Sequence, residues 1–183
     1  MSNFRFNAAS YDETCVFGAQ RPGYNSGKPI SDVEVTKWVE FMRQQGIKRV
    51  CCLLESQLSL YKSDLLEIYK RSFGEEVVCK APIEDFALAD EELLIETILP
   101  FLADSVRKRE PVVVHCSAGS GRTGHVLAAW LVYGRGMTNE QAINAVTEQG
   151  RNPYEAEKSG PDGSSSLNAL LDACRVASTR NSN

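Results

Sequence analysis

The sequence predicts an α/β domain built on a central, mostly parallel sheet flanked by helices. Three observations carry that prediction. Short apolar runs rich in β-branched residues alternate along the chain with segments of helical periodicity. The helical segments open on capping residues and close on glycine. The 183 residues show no repeat, linker or compositional break, so one domain over residues 1–183 is expected, with Thr179–Asn183 a frayed tail.

The elements follow in order. Asn3–Phe6 and Thr14–Gly18 read as strands, and Arg21–Pro29 as a loop dense in turn residues. Ser31-Asp32-Val33-Glu34 has the form of a capping box that opens a helix to about Gln45, where Gly46 ends it. Ile47–Leu54 is apolar enough for a buried strand. Asp64–Phe73 carries Leu65, Ile68, Tyr69 and Phe73 at helical spacing before Gly74, and Glu76–Ala81 is a further strand. Asp90 caps a helix bearing Leu94, Ile98, Phe101, Leu102 and Val106, with a kink expected at Pro100. A strand from Pro111 leads into a helix over Arg122–Tyr133, which Gly134 and Gly136 are expected to break. Thr138-Asn139-Glu140-Gln141 is a second capping box, for a helix to about Gln149. Gly150–Ser164 reads as loop, and Ser166–Ser178 as the last helix.

A formal net charge of −4 argues against nucleic acid or an anionic membrane as the main partner. The N-terminus lacks a signal-peptide pattern, and no apolar run approaches a membrane span, so a cytoplasmic protein is expected. Six cysteines, Cys15, Cys51, Cys52, Cys79, Cys116 and Cys174, show no metal-ligand spacing; neither metal nor cofactor is expected. They read as reduced thiols packed like small hydrophobes, with the sharper alternative that one resolves an oxidised Cys116.

The chemistry concentrates in His115-Cys116-Ser117-Ala118-Gly119-Ser120-Gly121-Arg122-Thr123-Gly124, directly after Pro111-Val112-Val113-Val114. A buried strand followed by a glycine-rich turn and a helix sets Cys116 on a tight loop. Backbone N–H groups and a helix N-terminus there bind an oxyanion and favour a thiolate. The loop suits a phosphate-cleaving nucleophile. His-Cys, five residues, then Arg-Thr-Gly resembles the signature loop of the cysteine-dependent protein tyrosine and dual-specificity phosphatases. The chain is too short for the larger tyrosine-specific domains and is similar to the compact dual-specificity subgroup. The resemblance implies a protein tyrosine phosphatase-like fold and a phosphocysteine intermediate. It also implies a phosphorylated protein or peptide as partner, with phosphotyrosine first and phosphoserine or phosphothreonine second.

In that reading Cys116 is the nucleophile, and the amides of Ser117, Ala118, Gly119, Ser120, Gly121 and Arg122 cradle the phosphoryl oxygens. Gly119 and Gly121 permit close backbone approach. The guanidinium of Arg122 offers a planar fork for bidentate phosphate contacts. The resemblance makes Thr123 a stabiliser of the thiolate during the second step, and His115 a support behind the loop; the competing readings are an ordinary first-turn helix hydroxyl for Thr123 and core packing for His115. His125 reads as structural. The leaving oxygen needs an acid, and Asp85 in Ala81-Pro82-Ile83-Glu84-Asp85-Phe86 resembles the family's acid loop. Glu84 and Asp90 are its rivals. Catalysis needs a protonated carboxyl beside an ionised thiol, the reverse of the free amino acids, which implies a bell-shaped rate profile with an optimum below neutrality.

Neither Gln141 nor Gln149 falls where the larger relatives place a water-positioning glutamine, so Asp85 acting as base is the reading for the second step. Arg21 and Arg151 are candidates for substrate contacts, against a reading of each as a solvated surface residue. The residues between Cys116 and Arg122 are small and neutral, unlike the lysine-bearing loops of phosphoinositide-directed relatives. Alternatives are a non-protein phosphate monoesterase (phosphoinositide or nucleotide), a phospho-reader without turnover, and a sulfurtransferase-like or arsenate-reducing cysteine enzyme.

Overall fold

A five-stranded sheet of order β1-β2-β5-β3-β4 organises the computed structural model, which describes residues 3–157 and 166–181. The strands are β1 (Asn7–Ala8), β2 (Val16–Gln20), β3 (Arg49–Cys52), β4 (Val78–Lys80) and β5 (Val112–Cys116). All neighbouring pairs are parallel except the short β1–β2 pair at the edge. The helices are α1 (Asp32–Gln44), α2 (Leu65–Phe73), α3 (Leu99–Lys108), α4 (Gly121–Arg135), α5 (Asn139–Glu148) and α6 (Leu167–Asn181). This is the expected single α/β domain with helices on both faces.

Central position explains the apolar run of β5. Its neighbours are β2 and β3, and all five of its residues are buried. Successive side chains point to opposite faces. Val112, Val114 and Cys116 therefore join the core under α3–α6, whereas Val113 joins the core under α1 and α2. Helix α4 crosses the first of these cores with Val126–Val132 buried on every side, as a helix enclosed by other elements should be.

Capping chemistry follows the sequence. Ser31 accepts from the Glu34 N–H, Asp64 from Leu66 and Glu67, and Thr138 and Gln141 form both halves of their box. At Ser31 only the serine half forms, because the Glu34 carboxylate is taken by Lys37 and Ser26.

Several boundaries differ from expectation. Asn3–Phe6 is a turn, not a strand: Phe4 and Arg5 both take φ near 49°, and the Phe6 N–H closes on the Asn3 carbonyl. Glu75–Val77 is a single 3₁₀ turn, so β4 is shorter than Glu76–Ala81. The irregularity at Pro100 takes the form of a π-helical stretch over Leu93–Ile98, where the Leu99 N–H reaches back to Leu94. Proline has no N–H with which to continue the α pattern there. Gly134 does not break α4, which ends at Arg135 with Gly136 left-handed after it; the Trp130 ring lies over Gly134 so closely that a Cβ would sit 2.5 Å from it. Helix α6 continues past Ser178 to Asn181. The loop expected over Gly150–Ser164 contains a 3₁₀ turn at Pro153–Glu157, and residues 158–164 of it lie outside the described residues.

Candidate active site

Cys116 is the last residue of β5, and α4 begins at Gly121. The four residues between them turn the chain sharply, with Gly119 at φ +72°. A Cβ on Gly119 would meet the Ala19 carbonyl oxygen at 2.6 Å, so both conformation and space demand glycine. Among the described residues, the N–H groups of Ser117 through Arg122 donate to no protein acceptor. Six consecutive N–H groups without a protein acceptor beside a cysteine, together with the N-terminus of α4, can hold an anion.

Arg122 is 2% exposed and reaches from the first turn of α4 toward the segment after β4. Its Nη1 donates to the Ile83 carbonyl at 3.0 Å and to Gln57 Oε1 at 3.4 Å. Its Nη2 lies 2.9 Å from Asp85 Oδ1, but without the alignment of a hydrogen bond, and no acceptor takes its proton. Gln57 Nε2 donates to Asp85 Oδ2 at 3.3 Å. The structure thus brings Asp85, of the three carboxylate candidates, to Arg122. Asp90 instead caps the helix that follows, accepting from Glu92 and Leu93, and Glu84 is exposed. Asp85 is positioned because its segment extends the β3 edge: Ala81 and Ile83 donate to the Cys52 and Leu53 carbonyls.

Thr123 is buried, and its hydroxyl has no hydrogen-bond partner among the described residues. His115 faces away from the cleft, into the second core. Its Nδ1–H donates to the Cys116 carbonyl at 3.4 Å, and its Nε2 accepts from the Tyr69 hydroxyl at 3.2 Å. Trp38 and Tyr69 pack edge-on against its ring. Burial pushes its pKa down to about 3, so it is neutral.

Arg21 and Arg151 are buried, not solvated surface residues. Arg21 Nε donates to Ser117 Oγ and its backbone N–H to the Ser117 carbonyl. Arg151 donates to the carbonyls of Gly119, Gly18 and Asn7. Both guanidinium groups are buried behind the loop and pin it to β2 and the β1 edge. All six cysteines are free thiols. The thiol partner of Cys51 is Cys79, its register mate on β4, and Cys52 lies in the core on the opposite sheet face from Cys116.

Above Cys116 lies a cleft of about 130 Å³, lined by the loop, Arg122, Asp85, Tyr24, Phe86 and Glu155. A family model described as "Polymorphic toxin system, DSP-PTPase phosphatase" matches residues 25–149, which include the loop, Arg122 and Asp85. The chain belongs to this DSP-PTPase phosphatase family. It matches only 30% of the length of the Uncharacterized protein MJ0215 of Methanocaldococcus jannaschii, at 45% identity over 49 residues, 27% of this chain. Two solved phosphatases share its fold. Tk-PTP is 24% identical with a TM-score of 0.65, covering 96% of this chain and 97% of that one. PTPMT1, solved in complex with PI(5)P, is 14% identical with a TM-score of 0.67, covering 96% and 98%.

In this DSP-PTPase phosphatase, Tyr24, Phe86 and Glu155 are cleft residues that motif reasoning missed. Phe86 follows Asp85 in a left-handed conformation (φ 62°) and is 52% exposed; Tyr24, 40% exposed, sits in the turn-rich loop under the Arg21 guanidinium. Glu155 lies on the Pro153–Glu157 turn, against Gly121. The usable signal was an aromatic next to Asp85 and another in a glycine-rich loop. Among the described residues there is no metal-binding cluster, and no helix is long and apolar enough to cross a membrane.

Proposed function

We propose that this phosphatase hydrolyses phosphotyrosine in proteins through a phosphocysteine intermediate. The observation that carries the reading is the coincidence, around one cysteine, of six unsatisfied backbone donors with a buried guanidinium proton that no acceptor takes. A phosphoryl group supplies what both lack. In the first step the Cys116 thiolate attacks phosphorus, the phosphorus–oxygen bond to tyrosine breaks, and Asp85 gives its proton to the leaving oxygen. The incoming phosphate takes over Arg122 Nη2, which draws the guanidinium away from Asp85 Oδ1. In the second step water attacks phosphorus, Asp85 takes the water's proton, and the sulfur–phosphorus bond breaks. The Thr123 hydroxyl, buried and unpartnered, is available to hydrogen-bond the returning thiolate. Amides and guanidinium act most strongly while charge spreads over the equatorial oxygens.

The cleft favours an aryl phosphate on a protein. Two exposed rings, Tyr24 and Phe86, stand at its mouth and offer stacking surface to a tyrosyl ring, which a seryl phosphate cannot use. Among the described residues, Arg122 is the one cation that lines this cleft, beside the carboxylates of Asp85 and Glu155. A ring carrying several phosphates would meet repulsion there. The test is vanadate-sensitive hydrolysis of an aryl phosphate, abolished in Cys116→Ser, followed by a phosphopeptide panel. Preference for phosphotyrosine peptides supports the proposal. Faster turnover of a phosphoinositide or nucleotide overturns it, and phosphopeptide binding without turnover leaves a reader instead.

A further inference from the structure

One buried imidazole joins the two halves of the site. His125 lies one turn into α4 and is fully buried. Its Nε2 sits 3.0 Å from the backbone N–H of Ala89, and its Nδ1 sits 3.2 Å from the carbonyl of Gly121. These partners settle its protonation. An amide N–H can only donate, so Nε2 must be an unprotonated acceptor; a carbonyl can only accept, so Nδ1 must carry the hydrogen. The ring is neutral, in agreement with burial pushing its pKa down to about 4.

What the imidazole connects gives it meaning. Gly121 opens α4 and lines the cleft with Cys116. Ala89 closes the segment that carries Asp85, immediately before the Asp90 cap. The other end of that segment is held by Arg122, through the Ile83 carbonyl. Between the anchors, Asp85 stands in a turn closed by the Ala87 N–H on the Glu84 carbonyl, with Phe86 left-handed. The acid therefore hangs between two clamps, both rooted in the first turns of α4.

We propose that His125 is a positioning residue for the acid: it fixes the Asp85 segment to the phosphate cradle and so sets the proton-transfer distance in the first step. The proposal rests on the assignment of Asp85 as the acid. Small displacements of a proton donor are expensive, since catalysis by a positioned acid is worth about 10²–10⁴-fold and depends on heavy-atom distances near 3 Å.

The experiment compares folded His125→Leu, His125→Asn and His125→Gln variants on phenyl phosphate, whose leaving group needs a proton, and p-nitrophenyl phosphate, whose leaving group needs little help. Leucine fills space but leaves the Ala89 N–H without an acceptor, and asparagine is too short to reach it. Glutamine carries a carbonyl oxygen to about the position of Nε2. The expected result is a loss of kcat/KM on phenyl phosphate for leucine and asparagine about tenfold to hundredfold larger than on p-nitrophenyl phosphate, with most of it restored by glutamine. In an Asp85→Asn background the His125 substitutions then add no further leaving-group-dependent loss. Equal losses on both substrates, or a selective loss that persists without Asp85, overturn the proposal. Should leucine prevent folding, the asparagine–glutamine contrast carries the same decision. If Asp85→Asn alone leaves phenyl phosphate turnover intact, the acid assignment fails; if it slows turnover while the His125 variants do not, only the positioning role fails.

Discussion

Adjacent residues at the end of β5 lie in two opposite kinds of environment. His115 enters a region in which both of its ring nitrogens have partners: Tyr69 and the Cys116 carbonyl occupy them, and Trp38 and Tyr69 close over the ring. Cys116, one residue on and on the other face of the sheet, enters a region of donors left open. Buried polar groups are nearly always paired, so a cluster of unpaired ones beside Cys116 is where a ligand can supply the missing acceptors. The contrast teaches that the same strand supplies a rigid backing and a reactive front. The open donors keep their geometry because the closed side, together with Arg21 and Arg151, holds the loop from behind.

The largest effects should come from the open side. Arg122→Lys keeps the charge but loses the fork that reaches Ile83, Gln57 and the phosphate together. We expect kcat on an aryl phosphate to fall by roughly 10²–10³-fold, the effect of removing a preorganised transition-state donor, with little change in melting temperature. A lysine variant within a few-fold of the parent would show that charge alone suffices. Gly119→Ala should damage both sides at once, because its Cβ would meet the Ala19 carbonyl at a backbone conformation that alanine resists. A stability loss of roughly 1–3 kcal/mol and a comparable drop in turnover are expected, read by denaturant unfolding and steady-state assay.

The open side was also the more legible in sequence. Cys116, Arg122 and Thr123 come from one contiguous loop whose geometry is local: a strand, a glycine turn and a helix start. Asp85 was singled out because its segment follows a strand and resembles the family's acid loop; only the fold sets it beside Arg122. The partners that position these groups arrive from distant loops. Arg151 meets carbonyls of Asn7, Gly18 and Gly119, none near it in sequence, and nothing in its neighbourhood says that it is buried. His125 read as structural, since only the fold reveals Ala89 at its Nε2. The strand expected at Asn3–Phe6 failed for a similar reason. Two successive left-handed residues other than glycine are held by contacts the local pattern does not encode, such as Arg5 donating to the Gly150 carbonyl.

Smaller effects belong to the rim of the open side. Truncating Tyr24 or Phe86 to alanine should raise KM for a phosphotyrosine peptide about two- to tenfold, the equivalent of one aromatic contact, and leave a phosphoserine peptide unchanged. Equal changes on both peptides would mean that the rings shape the loop without touching substrate. This contrast separates recognition from the chemistry below it.

The closed side yields the smallest changes, in stability with chemistry untouched. Tyr69→Phe removes the hydroxyl that donates to His115 Nε2 and should lower unfolding free energy by about 1 kcal/mol, leaving kcat within a few-fold. Its pH dependence distinguishes a buried neutral imidazole from a charged one. His115 is held near 3 by burial against an unfolded value near 6.5, so the unfolded chain binds the proton first. Above about pH 6.5 both states are neutral and stability is flat. As pH falls below that, stability drops by up to about 1.4 kcal/mol per unit for this group, and His125, lowered to about 4 by the same cause, adds to the slope. Because burial sets the shift, Tyr69→Phe should displace the whole curve of urea midpoint against pH downward without flattening it. A curve that rises toward acid would require a charged His115, and the closed side could then not be the satisfied, neutral backing that keeps the cradle in shape.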